Sequence, residues 1–327
     1  MSYTLRALLP ALCLTLILPC SSLVMAADPA PDKDAKPAEA PVEQAALPSR
    51  TEEDTLALER QVPQAEQQQL QAGDETFLAL WKPANVDEPK GAVIIVPGAD
   101  ESADWPTAVA PLRRKLPDVG WSSLSLSMPD AHNDGVFARA ADAPAAASTG
   151  DKPKDAPVKT PDPAATAEAE AAAAAEQAAA QAEMAKGSAE KIFTRIDSAV
   201  TFAQQNKARS IVLLGHGSGA YWAARYMSER PSPAVQRLVM VTAVDTGKET
   251  PSLMALLPTL KVPTADFVNK DRSVPRQQAQ DRLDASKRNK NARFTQVALS
   301  AIPGNPAMEQ DQLFRRVRGW LEGDAAK

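Results

Sequence analysis

Gly215-His216-Gly217-Ser218-Gly219 is the stretch of this sequence whose residue types and spacing come nearest to covalent chemistry. It joins an apolar run, Ile211 to Leu214, to a segment poor in charge, Ala220 to Met227. A strand that turns sharply into a helix can project the middle residue of Gly-x-Ser-x-Gly as an acylating nucleophile. The glycines at its ends let neighbouring backbone come close. In the frame that keeps glycine at both ends, the middle residue is Gly217, which has no atom able to form an acyl-enzyme. Ser218 comes one position late, and its plain role is to cap the helix that follows. His216 could serve as a general base, but a residue just before the apex more often packs into neighbouring loops. His132, the other histidine, follows a strand and could reach the mouth of a pocket.

Other chemistries find little support. The same glycines suggest a phosphate loop, but no Gly-Lys-Ser/Thr and no Gly-x-Gly-x-x-Gly with an acidic partner accompanies them. No histidine or carboxylate pair has metal-ligand spacing, so neither a metal nor a cofactor is expected. A net charge of -5 and scattered Lys and Arg give no nucleic-acid footprint. The basic clusters Arg113-Arg114-Lys115 and Arg315-Arg316 read as solvated helix faces. The charged stretch Arg272 to Arg293 reads as an exposed helix and turn.

Around the glycine-rich turn, the elements alternate. Gln67 to Leu70 and Thr76 to Trp81 flank Ala72-Gly73-Asp74 as a hairpin. Strands are expected at Ala92 to Val96, Trp121 to Met128, Ile211 to Leu214, Leu238 to Val241, Val262 to Val268 and Phe294 to Leu299. Helices are expected at Trp105 to Leu116, Ser188 to Gln205, Ala220 to Met227 and around Leu313 to Leu321. This pattern predicts an α/β fold with a doubly wound, mostly parallel sheet and an antiparallel N-terminal hairpin. Ligands of such sheets bind beyond the carboxyl ends of the strands.

Both ends of the organisation are compositional. Arg6, the apolar run Leu8 to Leu18 and Val24-Met25-Ala26 read as a signal peptide over residues 1–26, which implies a periplasmic or secreted protein. That apolar run is shorter than the ~20 residues a membrane-spanning helix takes, and no later run is long enough either. Cys13 and Cys20 both lie in this segment, so the mature chain has neither disulfides nor a cysteine nucleophile. Residues 27–50 are expected to be a disordered leader, and residues 51–327 the folded domain. Low-complexity residues 138–186 interrupt that domain: Pro-rich at first, then an Ala-rich helical part from Ala164 to Ala185.

The segments Ala92 to Gly98, Gly120 to Pro129 and Leu214 to Tyr226 resemble the α/β-hydrolase superfamily. More narrowly, they resemble the domain-of-unknown-function 3530 family of exported bacterial proteins. That resemblance implies an oxyanion-type role for the loop at Gly98 and Ala99 and for the backbone of Ser218. It implies a triad acid at Asp271, with Asp245 as an alternative, and a histidine between Ile302 and Met308. No histidine follows residue 216. The chain is therefore expected to be a non-catalytic envelope protein that binds an unknown small molecule or protein. Two alternatives stay open: a carboxylic-ester hydrolase using Ser218 or Ser102, and an interaction protein acting through the Ala-rich insertion.

Overall fold

The central apolar runs become strands covered on both faces, which is why they lack polar alternation. The structure is a computed structural model that describes residues 49–130, 163–244, 251–271 and 273–323. The described residues lie in one compact unit, Leu47–Lys327. In chain order the elements are α1 (Arg50–Gln61), β1 (Gln67–Ala72), β2 (Glu75–Lys82), β3 (Gly91–Val96), α2 (Val109–Lys115), β4 (Trp121–Leu126) and α3 (Pro163–Gln205). There follow β5 (Ile211–His216), α4 (Gly219–Glu229), β6 (Val235–Val241), α5 (Leu253–Leu256), β7 (Thr264–Asn269), α6 (Ser273–Arg288), β8 (Phe294–Leu299) and α7 (Pro306–Gly323).

The eight strands form one sheet in the order β1-β2-β4-β3-β5-β6-β7-β8. β2 runs antiparallel to both β1 and β4, and every other pairing is parallel. Alternation along β3 builds two core layers. Ala92, Ile94 and Val96 pack with Leu213 of β5, with Ile192 and Ile196 of α3, and with Tyr221 of α4. Val93 and Ile95 pack on the other face, with Leu112 of α2 and Val317 and Leu321 of α7. β3 lies directly beside β5, with Val96 opposite Gly215. That register brings the loop after β3 and the glycine-rich turn after β5 to one place.

Several elements differ from the sequence reading. The expected helix Trp105 to Leu116 begins only at Val109. A helix running through Thr107 would drive the Pro111 ring into that residue's carbonyl, whereas a start at Val109 puts Pro111 in the tolerant first turn. The Ala-rich segment and Ser188 to Gln205 are not separate: α3 is one helix of 43 residues, about 65 Å long at 1.5 Å per residue. Gly187 inside it costs only ~1 kcal/mol relative to alanine. Glu183 to Gly187 are exposed, and packing begins at Ala189.

Two basic stretches are also less solvated than expected. Arg113 is buried and binds Glu66 and Asp104. In α6, Arg282 is buried and forks onto the buried Asp266, at 2.9 and 3.2 Å. Buried charge of this kind is tolerated because it is paired and hydrogen-bonded.

No helix among the described residues is long and apolar enough to cross a membrane. The expected signal peptide and most of the leader (residues 1–48) lie outside the described residues, as does the Pro-rich part of the insertion.

Candidate functional site

The turn between β5 and α4 is shaped by three glycines for two different reasons. At Gly215 an added Cβ would fall 2.4 Å from the Ala220 Cα, and at Gly219 one would fall 2.2 Å from the Val96 carbonyl oxygen. Both contacts are with backbone, so only glycine fits. Gly217 instead has φ +57°, in the left-handed region. A Cβ there would meet a single neighbour, Glu101 Oε1 at 3.7 Å. The apex of the turn thus carries no side chain, and what lies before it is a carboxylate.

Glu101 comes from the loop after β3. Its Oε2 accepts the Gly98 backbone N–H at 2.7 Å and lies 2.7 Å from His216 Nδ1. A carboxylate can only accept, so Nδ1 carries the hydrogen. The two side chains are 14% and 12% exposed. Ser218 does not cap α4 as expected: its side chain makes no capping hydrogen bond. Its Oγ reaches across to β3's loop and accepts the Ala99 N–H at 2.8 Å. Both loop amides that could greet an incoming oxygen therefore already have partners from within the chain.

The site opens beside α1, an element absent from the sequence reading. Ser49 and Glu52 form a capping box at its start, a pattern visible in Ser49-Arg50-Thr51-Glu52. Arg50 donates to the Asp100 carboxylate at 2.9 Å and to its carbonyl at 2.7 Å. The Thr51 N–H donates to Asp130, which follows β4, at 3.1 Å. Leu58 is the buried residue of α1, packed with Leu78, Leu80 and Ala103. Beside this helix is a small, partly open cleft, with Arg50, Asp54, Glu101, Ser102 and Asp130 in its walls.

The structure brings together Gly98, Ala99, His216, Gly217 and Ser218, and adds Glu101. It does not bring Asp271 to them. Asp271 is exposed after β7, and its carboxylate accepts the Ala301 N–H at 2.5 Å. Ser102 lies in the cleft wall. Asp245 and His132 lie outside the described residues.

The family model described as "Protein of unknown function (DUF3530)" matches residues 9–323. No curated protein matches the sequence significantly. Among solved structures, Est1E from Butyrivibrio proteoclasticus is similar at TM-score 0.53 and 12% identity, over 80% of this chain and 100% of that one. An esterase from Pyrococcus furiosus is similar at TM-score 0.51 and 13% identity, over 78% and 89%. The esterase domain of a Rhodothermus marinus protein is similar at TM-score 0.50 and 12% identity, over 78% and 96%. At these identities the likeness concerns the fold.

Proposed function

The chain belongs to the DUF3530 family of proteins of unknown function and has the α/β-hydrolase fold, and on that premise we propose that it is a non-catalytic member of the fold, acting as a ligand-binding protein of the bacterial envelope. One observation carries this reading. The apex of the turn is Gly217, and the place before it is held by the Glu101 carboxylate, with His216 fastened to that carboxylate. An acyl-transfer site needs a nucleophile at this point with an imidazole free to take its proton. Here the hydroxyl nearby, on Ser218, is turned onto the Ala99 N–H, and the sequence holds no histidine beyond residue 216. The export expectation over residues 1–26 supports the envelope placement, and a mature N-terminus at Ala27 is the expected result of sequencing the protein from the periplasm.

The test is a fluorophosphonate probe applied to the purified mature protein. No labelling above the heat-denatured control is expected. Gly217→Ser should also stay unlabelled, although space at the apex admits the side chain, because the hydroxyl it restores would face the weakly basic Glu101 carboxylate and no free imidazole. Labelling of the wild type that disappears in Ser218→Ala or Ser102→Ala would replace this reading with that of a hydrolase.

A further inference from the structure

Glu101 folds back across its own turn. Its backbone N–H donates to the Gly98 carbonyl at 3.0 Å, while its carboxylate takes the Gly98 N–H and His216 Nδ1 on one oxygen, Oε2. The other oxygen, Oε1, faces the bare apex of the turn. Charge-assisted hydrogen bonds from a backbone N–H and an imidazole are short and strong wherever the carboxylate comes from. This one comes from a side chain that itself lines a small, partly open cleft, so a carboxylate that displaced it would approach from that side.

We propose that the Gly98 N–H and His216 Nδ1 form a carboxylate-binding cradle that Glu101 fills as an internal ligand, so that a small molecule bearing a carboxylate binds there in competition with Glu101. The inference rests on the non-catalytic reading, since the place before the apex must be free of a nucleophile to hold a ligand. Competition sets the affinity: an internal carboxylate lowers the apparent affinity by the fraction of time the cradle stands empty. Asp54 and Asp130 stand in the same walls, and Arg50 offsets only one of them, so a single carboxylate is favoured over a dicarboxylate. A glutamate that merely staples its own turn would predict no exchange with a free anion.

The experiment uses the whole mature chain, with acetate, and acetamide as a neutral control, titrated at constant ionic strength. In Glu101→Ala, acetate is expected to raise the melting temperature saturably, as a ligand of the native state does. Its apparent affinity should be at least about tenfold above that for the wild type. Acetamide should do nothing to either. If Glu101→Ala gains no more from acetate than the wild type, the cradle is wrong. Should that variant fail to fold, Glu101→Gln keeps the turn with a weaker acceptor. Acetate must then move the NMR signals of the Gly98 amide and His216 ring saturably in Glu101→Gln, at lower concentration than in the wild type, and signals that stay unmoved in Glu101→Gln overturn the proposal. Fluorophosphonate labelling is scored separately on the same samples, so a failure of the non-catalytic reading is told apart from a failure of the cradle.

Discussion

Gly219→Ala is expected to destabilise the fold by more than about 3 kcal/mol, whereas Gly217→Ala is expected to cost only about 1–2 kcal/mol. The contrast follows from what each new methyl group would meet. At residue 219 it falls 2.2 Å from the Val96 carbonyl oxygen and 2.3 Å from that of Pro97. Overpacking a core costs about 1–3 kcal/mol when side chains can yield. Here the obstacle is the end of β3, hydrogen-bonded to β4 on one side and β5 on the other. At residue 217 there is open space up to Glu101, and the penalty is that of an L-residue held at positive φ. Urea denaturation of the two variants checks this. If Gly217→Ala proves the costlier, the apex is not where it has been placed, and the argument for a missing nucleophile goes with it.

The same region shows what a sequence can and cannot carry. The sheet was legible because its signal is local: Ala92 to Val96 and Ile211 to Leu214 are apolar without alternation, as strands covered on both faces must be. The frame of the turn was legible because glycine is irreplaceable where backbone meets backbone. The Glu101–His216 pair was not, since its members are 115 residues apart and meet only because β3 lies beside β5. Ser218 reads as a cap because capping is a local rule, and a contact with Ala99 from another strand's loop overrides it. α1 has a weak sequence signal because Leu56, Leu58 and Val62 make a thin apolar stripe; its capping box is the better one. The burial of Arg113 is invisible locally, as the Glu101–His216 pair is: its partners, Glu66 and Asp104, lie outside its helix.

That network makes a second prediction of large effect. Arg113→Ala is expected to cost about 3 kcal/mol at neutral pH, the lower end of the range for breaking a buried ion pair. The guanidinium is 2% exposed and donates to Glu66 and, at 2.9 Å, to Asp104. Without it two carboxylates remain behind, each 18% exposed or less. The cost is kept from rising higher because Lys82 still holds Glu66 at 2.8 Å and Arg114 still pairs with Asp104. Acid should then shrink the gap between variant and wild type. Burial pushes the Glu66 carboxyl up, but the hydrogen bonds from Lys82 and Arg113 outweigh it and hold the carboxyl below its ordinary value of 4.5. A carboxyl lowered in the folded state stabilises above its unfolded value, and that stabilisation is lost as pH falls through the folded one. The variant lacks part of that lowering, so it has less to lose as pH falls below 4.5. Denaturation curves at neutral and acid pH decide the matter: a gap that stays constant with pH would show that Arg113 acts through packing alone. Asp104 closes the loop that presents Glu101 and Ser102, so faster hydrogen exchange at the Gly98 and Ala99 amides is expected in the same variant, linking the buried arginine to the order of the site.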